Sequence, residues 1–273
     1  MSSFQHATAV TRAEGGYAAI LDPAWEIWGP AGGYVAAIAL RAVGLAAPAG
    51  HRPATLAGQF IGRASAGPVA VVVEPLKAGA SALWRVALEQ SGRSFFVAHL
   101  WTTTRRDPVE VIAPNMPAVP PPEDLPEFTA LLAERGIAAI PFWCHFDARP
   151  IDFRLHSDPM IIDGRLRRWF RFQGWEATTD PFLEGARAAL LLDVHVWPAH
   201  HLRLSRQPAY AAPSLDVTLA FHTDAPGGDW LLLDMNADVA GDGLLHGHGR
   251  VWSRDGRALA SGGGQCLAVA SRG

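Results

Sequence analysis

The chain has 273 residues and a mass of 29.2 kDa, with 49% hydrophobic and 18% charged residues. That supplies a sizeable core and, with 10 Trp and 12 Phe, excludes a disordered chain. Twenty-three Lys and Arg against 26 Asp and Glu leave a net charge of −3, without the basic footprint that nucleic acid requires. Cys144 and Cys266 stand far apart and form no CxxC. A disulfide framework and a structural zinc site are therefore not expected, and a reducing cytoplasm is. The N-terminus has no charged region followed by an apolar stretch, and no run of 18 uncharged apolar residues follows, so a soluble intracellular protein with no membrane partner is expected.

In chain order, the first predicted element is a helix at 32–43, GGYVAAIALRAV, apolar nearly all round with Arg41 its only charge. Such a helix is buried. Pro53-Ala-Thr-Leu then leads to a predicted strand FIGRA at 60–64, followed by VAVVVEPL, LWRVALEQ, a turn at Ser91-Gly92-Arg93, and FFVAHLWTT. Val69, Val71, Val73 and Pro75 share one face of their strand. From Asp107 to Glu127 seven prolines interrupt the chain, too many for a helix interior or a central strand. The second half repeats the first: a helix PFLEGARAALLL at 181–192, Pro213-Ser-Leu, then DVTLAFH, DWLLLDMNADV, LLHGHGRVW, a turn at Asp255-Gly256-Arg257, and ALASGGGQCLAVA. Pairing Pro53 with Pro213, Phe60 with Phe221, and Gly92-Arg93 with Gly256-Arg257 gives offsets of 160 to 164, as a duplicated unit would. The expected architecture is α+β: unit one at 1–106, a proline-rich linker at 107–139, and unit two at 140–273. Each unit is a buried helix wrapped by an antiparallel sheet, and the two sheets join edge to edge so that neither leaves an open edge at the junction.

Several motifs sharpen this. They are the stretch Trp25, Trp28, Gly29, Pro30, Gly32, Gly33, Tyr34; Asp193 followed five positions on by Pro198; the strand from Ser214 ending in Phe221-His222; and LASGGGQ ending in Gln265. With these residues the chain resembles the acyl-CoA thioesterase II-like proteins, which are double-hotdog hydrolases, over most of its length. The resemblance implies acyl-CoA as substrate, no cofactor, and a water held by Asp193, Ser214 and Gln265. Here the hydroxyl is Ser rather than Thr, and Gln265 stands four residues after Ser261 where the family pattern has three. A bulge within Gly262–Gly264 would then be needed to return Gln265 to the inner face.

Read without the family, Asp193 closes the apolar run Ala188–Leu192 at a helix C-terminus, where the macrodipole and the apolar surroundings both disfavour its charge. A carboxylate made more basic in this way suits proton abstraction; a solvated residue at a fraying helix end is the plainer alternative. Gly32, Gly33 and Tyr34 are the candidate substrate-binding residues, since glycines at a helix start let a ligand carbonyl approach free N–H groups. A tight turn with close packing explains the same glycines. Asp180-Pro181 reads as N-cap and first helical residue of the second helix.

Among 11 histidines, His200-His201 and His246-x-His248 are the densest, but no carboxylate or Cys stands at a spacing that completes a site, so no metal is expected. No serine lies in GxSxG, and GDGLLHG at 241–247 falls short of a dinucleotide motif. Trp25, Trp28, Trp84, Trp101, Trp169 and Trp175 read as core or acyl-pocket wall. Two other functions stay open: a hydratase or dehydratase using Asp193 with His195, and a non-catalytic acyl-binding protein. By analogy with paired hotdog sheets a homodimer is expected.

Overall fold

The computed structural model describes residues 2–106, 112–155, 158–205, 210–223 and 226–270. The first half contains α1 (Phe4–Ala7), β1 (Thr11–Ala13), β2 (Gly16–Leu21), α2 (Gly32–Ala46), β3 (Arg52–Phe60), β4 (Gly67–Lys77), β5 (Ser81–Gln90) and β6 (Arg93–Thr103). After α3 (Phe128–Glu134) the second half contains β7 (Phe146–Pro150), β8 (Arg165–Phe172), α4 (Pro181–Val194), α5 (Val196–His201), β9 (Tyr210–Ala211), β10 (Asp216–Phe221), β11 (Trp230–Gly241), β12 (Leu244–Ser253), β13 (Ala258–Leu267) and β14 (Val269–Ala270).

Twelve strands form one sheet in the order β1-β2-β4-β5-β6-β3-β10-β13-β12-β11-β8-β7, and every pairing is antiparallel. Read outward from the β3–β10 junction, the order is the same in both directions, as a duplicated unit dictates. Alternation sets which face each strand buries: Val69 and Val71 point to the core while Ala70 and Val72 point out. The hairpin turns fall where expected, with Gly92 at φ 73° and Gly256 at φ 89°, left-handed conformations that favour glycine.

One expectation needs correction. The strand placed at FIGRA lies earlier, at β3, and only Phe60 belongs to it. Pro53 sits inside β3 beside a register shift between Pro53 and Thr55, which is how a central strand tolerates a residue with no N–H. The proline-rich linker packs on the second half of the sheet. Of its residues, 107–111 lie outside those described; beyond them, Met116, Val119 and Leu125 cover Trp169, Trp230, Leu232 and Trp252. Trp169 Nε1 donates to the Pro120 carbonyl (2.9 Å) and Arg149 to the Leu125 carbonyl (2.9 Å). A proline-rich strap lacks periodicity, but its apolar side chains still seal the outer face of β8, β11 and β12.

The inner face of the sheet wraps α2 and α4, which pack against each other as an antiparallel pair. A Cβ on Gly33 would stand 2.6 Å from Leu190 Cα and 2.7 Å from the Ala189 carbonyl oxygen, so the helices touch backbone to backbone there. At the other end of the pair, Gly44 of α2 lies against the Phe182 ring of α4. The two junctions are pseudo-equivalent, and they carry different residues.

Candidate active site

Asp193, in the last turn of α4, places its carboxylate at the first turn of α2. The Gly33 N–H donates to Asp193 Oδ2 (2.5 Å), and a Cβ at Gly32 would lie 2.7 Å from the same oxygen and 2.8 Å from Phe60 Cζ. Glycine is therefore required at both positions: at Gly32 for the carboxylate's approach, at Gly33 for the helix crossing. The carboxylate is 5% exposed. Burial raises its pKa to about 6, against the opposing pull of the Ser214 hydroxyl and the Gly33 N–H, with a smaller upward push from the Asp216 charge. The positive end of α2 receives the carboxylate that the negative end of α4 carries, and this pairing holds a buried acid in place.

The cavity beside it encloses about 920 Å³ and is lined by Gly32, Phe60, Trp143, Asp193, Ser214 and Cys266 among others. Ser214 forms a single bridge with Cys266 of β13, which orients both toward Asp193. The Cys266 thiol is buried, and burial followed by the Asp193 charge pushes it up to about 12, so it stays protonated. Gly32 N–H has no partner among the described residues and Gly32 lines the cavity, leaving one donor at the helix start open to a ligand.

The expected trio is not assembled. On β13, Gln265 pairs with exposed His246 while Cys266 pairs with buried Leu245, and cross-strand partners share a face. Gln265 therefore points away from Asp193, and Gly264 holds the inward position, where a Cβ would run into the Asp216 backbone. The register shift between β12 and β13 lies near Val251 and Trp252, not within Gly262–Gly264, so nothing restores the phase that the extra glycine changes.

Tyr34 is also not at the cavity. It is 0% exposed; its hydroxyl donates to the Ala7 carbonyl (2.8 Å), accepts from the Asp22 N–H (3.1 Å) and lies 3.1 Å from the Ile20 carbonyl oxygen. Burial pushes its pKa to about 12, and its role is to fasten α1 and β2 to α2. The oxyanion role expected of both glycines narrows to Gly32, because the Gly33 N–H is taken by Asp193.

His195, two residues beyond Asp193, turns into the core. Its Nδ1–H donates to the Leu191 carbonyl (2.8 Å), its ring packs edge-on to Phe170, and burial with the nearby Arg168 charge pushes its pKa down to about 3. Positions i and i+2 on a helix face apart, so no Asp–His pair forms. Of the tryptophans, Trp28 lines the cavity mouth at 53% exposure, whereas Trp101 and Trp169 lie on the outer sheet face. The reading of His246 and His248 missed a carboxylate: Asp238, at a bulge in β11, accepts from both Nδ1 atoms (2.9 and 2.7 Å). Among the described residues no group of three or more His, Cys, Asp and Glu has an arrangement that could hold a metal ion, and no helix is long and apolar enough to cross a membrane.

Sequence reasoning overlooked Cys266, Trp143 and Arg168 as cavity residues. The signal for Arg168 was present: Leu166, Arg168, Phe170 and Phe172 share one face of β8, so a lone cation stands among inward-facing apolar residues.

The acyl-CoA thioesterase N-terminal domain model matches residues 21–103, and the acyl-CoA thioesterase C-terminal domain model matches residues 117–266. The chain is 26% identical over 212 residues to acyl-coenzyme A thioesterase 8 of Mus musculus, covering 69% of this chain and 64% of that protein. It thus spans just under two thirds of the length of the curated relatives it matches. Among solved structures, a conserved hot dog fold protein from Alicyclobacillus acidocaldarius superposes with a TM-score of 0.80 at 23% identity, covering 99% of this chain and 98% of that one. The acyl-CoA thioesterase II TesB2 from Mycobacterium marinum superposes with a TM-score of 0.77 at 20% identity, covering 98% and 99%. The two domain models together cover most of the chain, one on each half of the continuous sheet, and the protein belongs to the acyl-CoA thioesterase family, in its double-hotdog form.

Proposed function

We propose that this protein hydrolyses acyl-CoA thioesters to the free acid and CoA, with water activated by Asp193. The observation that carries this reading is the buried Asp193 carboxyl, with its pKa near 6, at the wall of a large cavity beside an open helix N-terminus. The water oxygen bonds to the thioester carbonyl carbon while its proton passes to Asp193. The carbonyl electrons move onto oxygen, where the Gly32 N–H donates to them. The carbon–sulfur bond then breaks as the oxyanion collapses. The leaving thiolate has a conjugate acid near pKa ~8.5 and needs no strong acid. Ser214 orients the water; Gln265 takes no part, so this site positions its nucleophile with fewer side chains than the resemblance implies.

The test is release of free thiol from a panel of acyl-CoAs. Asp193→Asn keeps the shape and removes the proton acceptor, so hydrolysis falls by about 10²-fold or more while affinity changes little. Near-full activity in Asp193→Asn defeats the mechanism. A second reading, a non-catalytic acyl-CoA-binding protein, is favoured by the glycine at the inward position of β13; it requires tight binding with no thiol release by the wild type.

The further readings, a homodimer in the cytoplasm, rest on analogy with paired hotdog sheets and on the free thiols Cys144 and Cys266. Sedimentation at micromolar concentration yields a species near twice 29.2 kDa if the chain dimerises.

A further inference from the structure

Arg168 lies on β8 with its side chain turned inward, is 5% exposed, and lines the same cavity as Asp193. No hydrogen bond or ion pair to its guanidinium occurs among the described residues, and its Nε is buried without a partner. The cation sits 4.1 Å from the ring centroid of Phe128 and 5.8 Å from those of Trp143 and Phe170. The carboxylate whose charge it feels is Asp152, but both Asp152 oxygens are engaged by Arg167 (2.9 and 3.0 Å).

Arg154 and Arg187 also bury an Nε without a partner, but their terminal guanidinium nitrogens are engaged, as those of Arg168 are not among the described residues. Arg154 donates to the carbonyls of His201, Leu202, Leu204 and Asp158. Arg187 pairs with Glu184 and donates to the Gly228 carbonyl. An unpaired buried cation is costly, and an apolar side chain of similar volume would suit an all-hydrocarbon pocket better. Burial pushes the Arg168 pKa down to about 10, which leaves it cationic at neutral pH.

Its aromatic surroundings and 5% exposure suit a group carried in on an acyl chain better than a strongly hydrated phosphate, which would have to shed its water to reach it. Arg168 on β8 and Asp193 at the end of α4 line the cavity from different elements, and no hydrogen bond or ion pair joins them among the described residues, so the cation is free to meet a second polar group of the ligand. A planar fork of donors matches a carboxylate with two parallel bonds.

We infer that the acyl group this cavity accepts ends in a carboxylate, an ω-carboxyacyl thioester, and that Arg168 is the residue that reads it. The inference rests on the acyl-CoA hydrolase reading above and names its substrate class.

The experiment compares kcat/KM for thiol release from three length-matched series of CoA esters: plain acyl, ω-carboxyacyl, and the ω-carboxyacyl methyl ester, which keeps the shape without the charge. The wild type prefers the free carboxylate by about 10²-fold or more over both neutral series. Arg168→Met loses that preference by retaining or gaining activity on plain chains, and Arg168→Lys keeps part of it. A merely structural role lowers all three series equally and leaves their ratios unchanged. Equal or better turnover of plain chains by the wild type overturns the inference, whether or not the variants fold. Should no series release thiol, the hydrolase reading fails, and binding of the free acids decides this one: dicarboxylic acids raise the wild-type Tm more than monocarboxylic acids of equal length if Arg168 reads the far end, and equal shifts refute it.

Discussion

Asp193 is more basic than a free carboxyl, and the sign of its pH effects follows. Its pKa rises from 3.8 to about 6 on folding, so between those values the native state binds the proton more tightly than the unfolded chain. Stability therefore falls as pH rises through that window. Asp193→Asn should stabilise the protein at pH 7 by up to about 3 kcal/mol, less whatever the Gly33 bond loses, and by nothing below pH ~3.5. Urea unfolding at the two pH values checks this. On the proposed mechanism activity runs the other way, because a base works only when ionised: kcat/KM should drop about tenfold per pH unit below 6, and an acid limb absent from the profile would contradict the assignment. Gln265 supplies the opposite control. Facing outward, Gln265→Ala should retain activity within about twofold in the thiol-release assay. Its position was legible in the sequence only as an awkward spacing after Ser261, since three glycines have no side chains whose burial pattern would disclose the phase.

At the scale of elements, the site depends on how closely α2 and α4 approach. Gly33→Ala places a methyl group against the Leu190 backbone at 2.6 Å, where no rotamer change can relieve it; the helices must part. The expected cost is about 1–3 kcal/mol, seen as a lower Tm, together with loss of activity because Asp193 moves with α4. Both helices were legible as nearly uniform apolar stretches, but their contact was not, because a single glycine serves a turn or a crossing equally well. The strap at 112–125 shows the same limit. Its prolines correctly excluded regular structure, yet Met116, Val119 and Leu125 carry no periodicity that points to Trp169. Truncating that ring, Trp169→Ala, should cost about 3–5 kcal/mol, as measured by chemical denaturation.

At the scale of the molecule, β3 and β10 join the halves through a ladder running from Asp216–Gln59 to Ala220–Thr55, and the apolar core is continuous across it. The halves should unfold together, so tryptophan fluorescence and far-UV circular dichroism should report one coincident transition; two separated transitions would show independent units. Duplication made this arrangement legible, since two copies of one hairpin meander can join through equivalent edge strands, here β3 and β10. What duplication conceals is how far the copies have diverged. At one junction of the helix pair an acidic side chain meets two glycines; at the other, Gly44 meets the Phe182 ring. Two separate single-unit chains related by a twofold axis would repeat the same residue at both places, and a polar pocket could not be gained at one end without appearing at the other. Fusion into one polypeptide removes that constraint. One end carries a buried carboxyl beside a cavity and the other a plug, and on the proposed function titration with a non-hydrolysable acyl-CoA should therefore saturate at one ligand per chain rather than two.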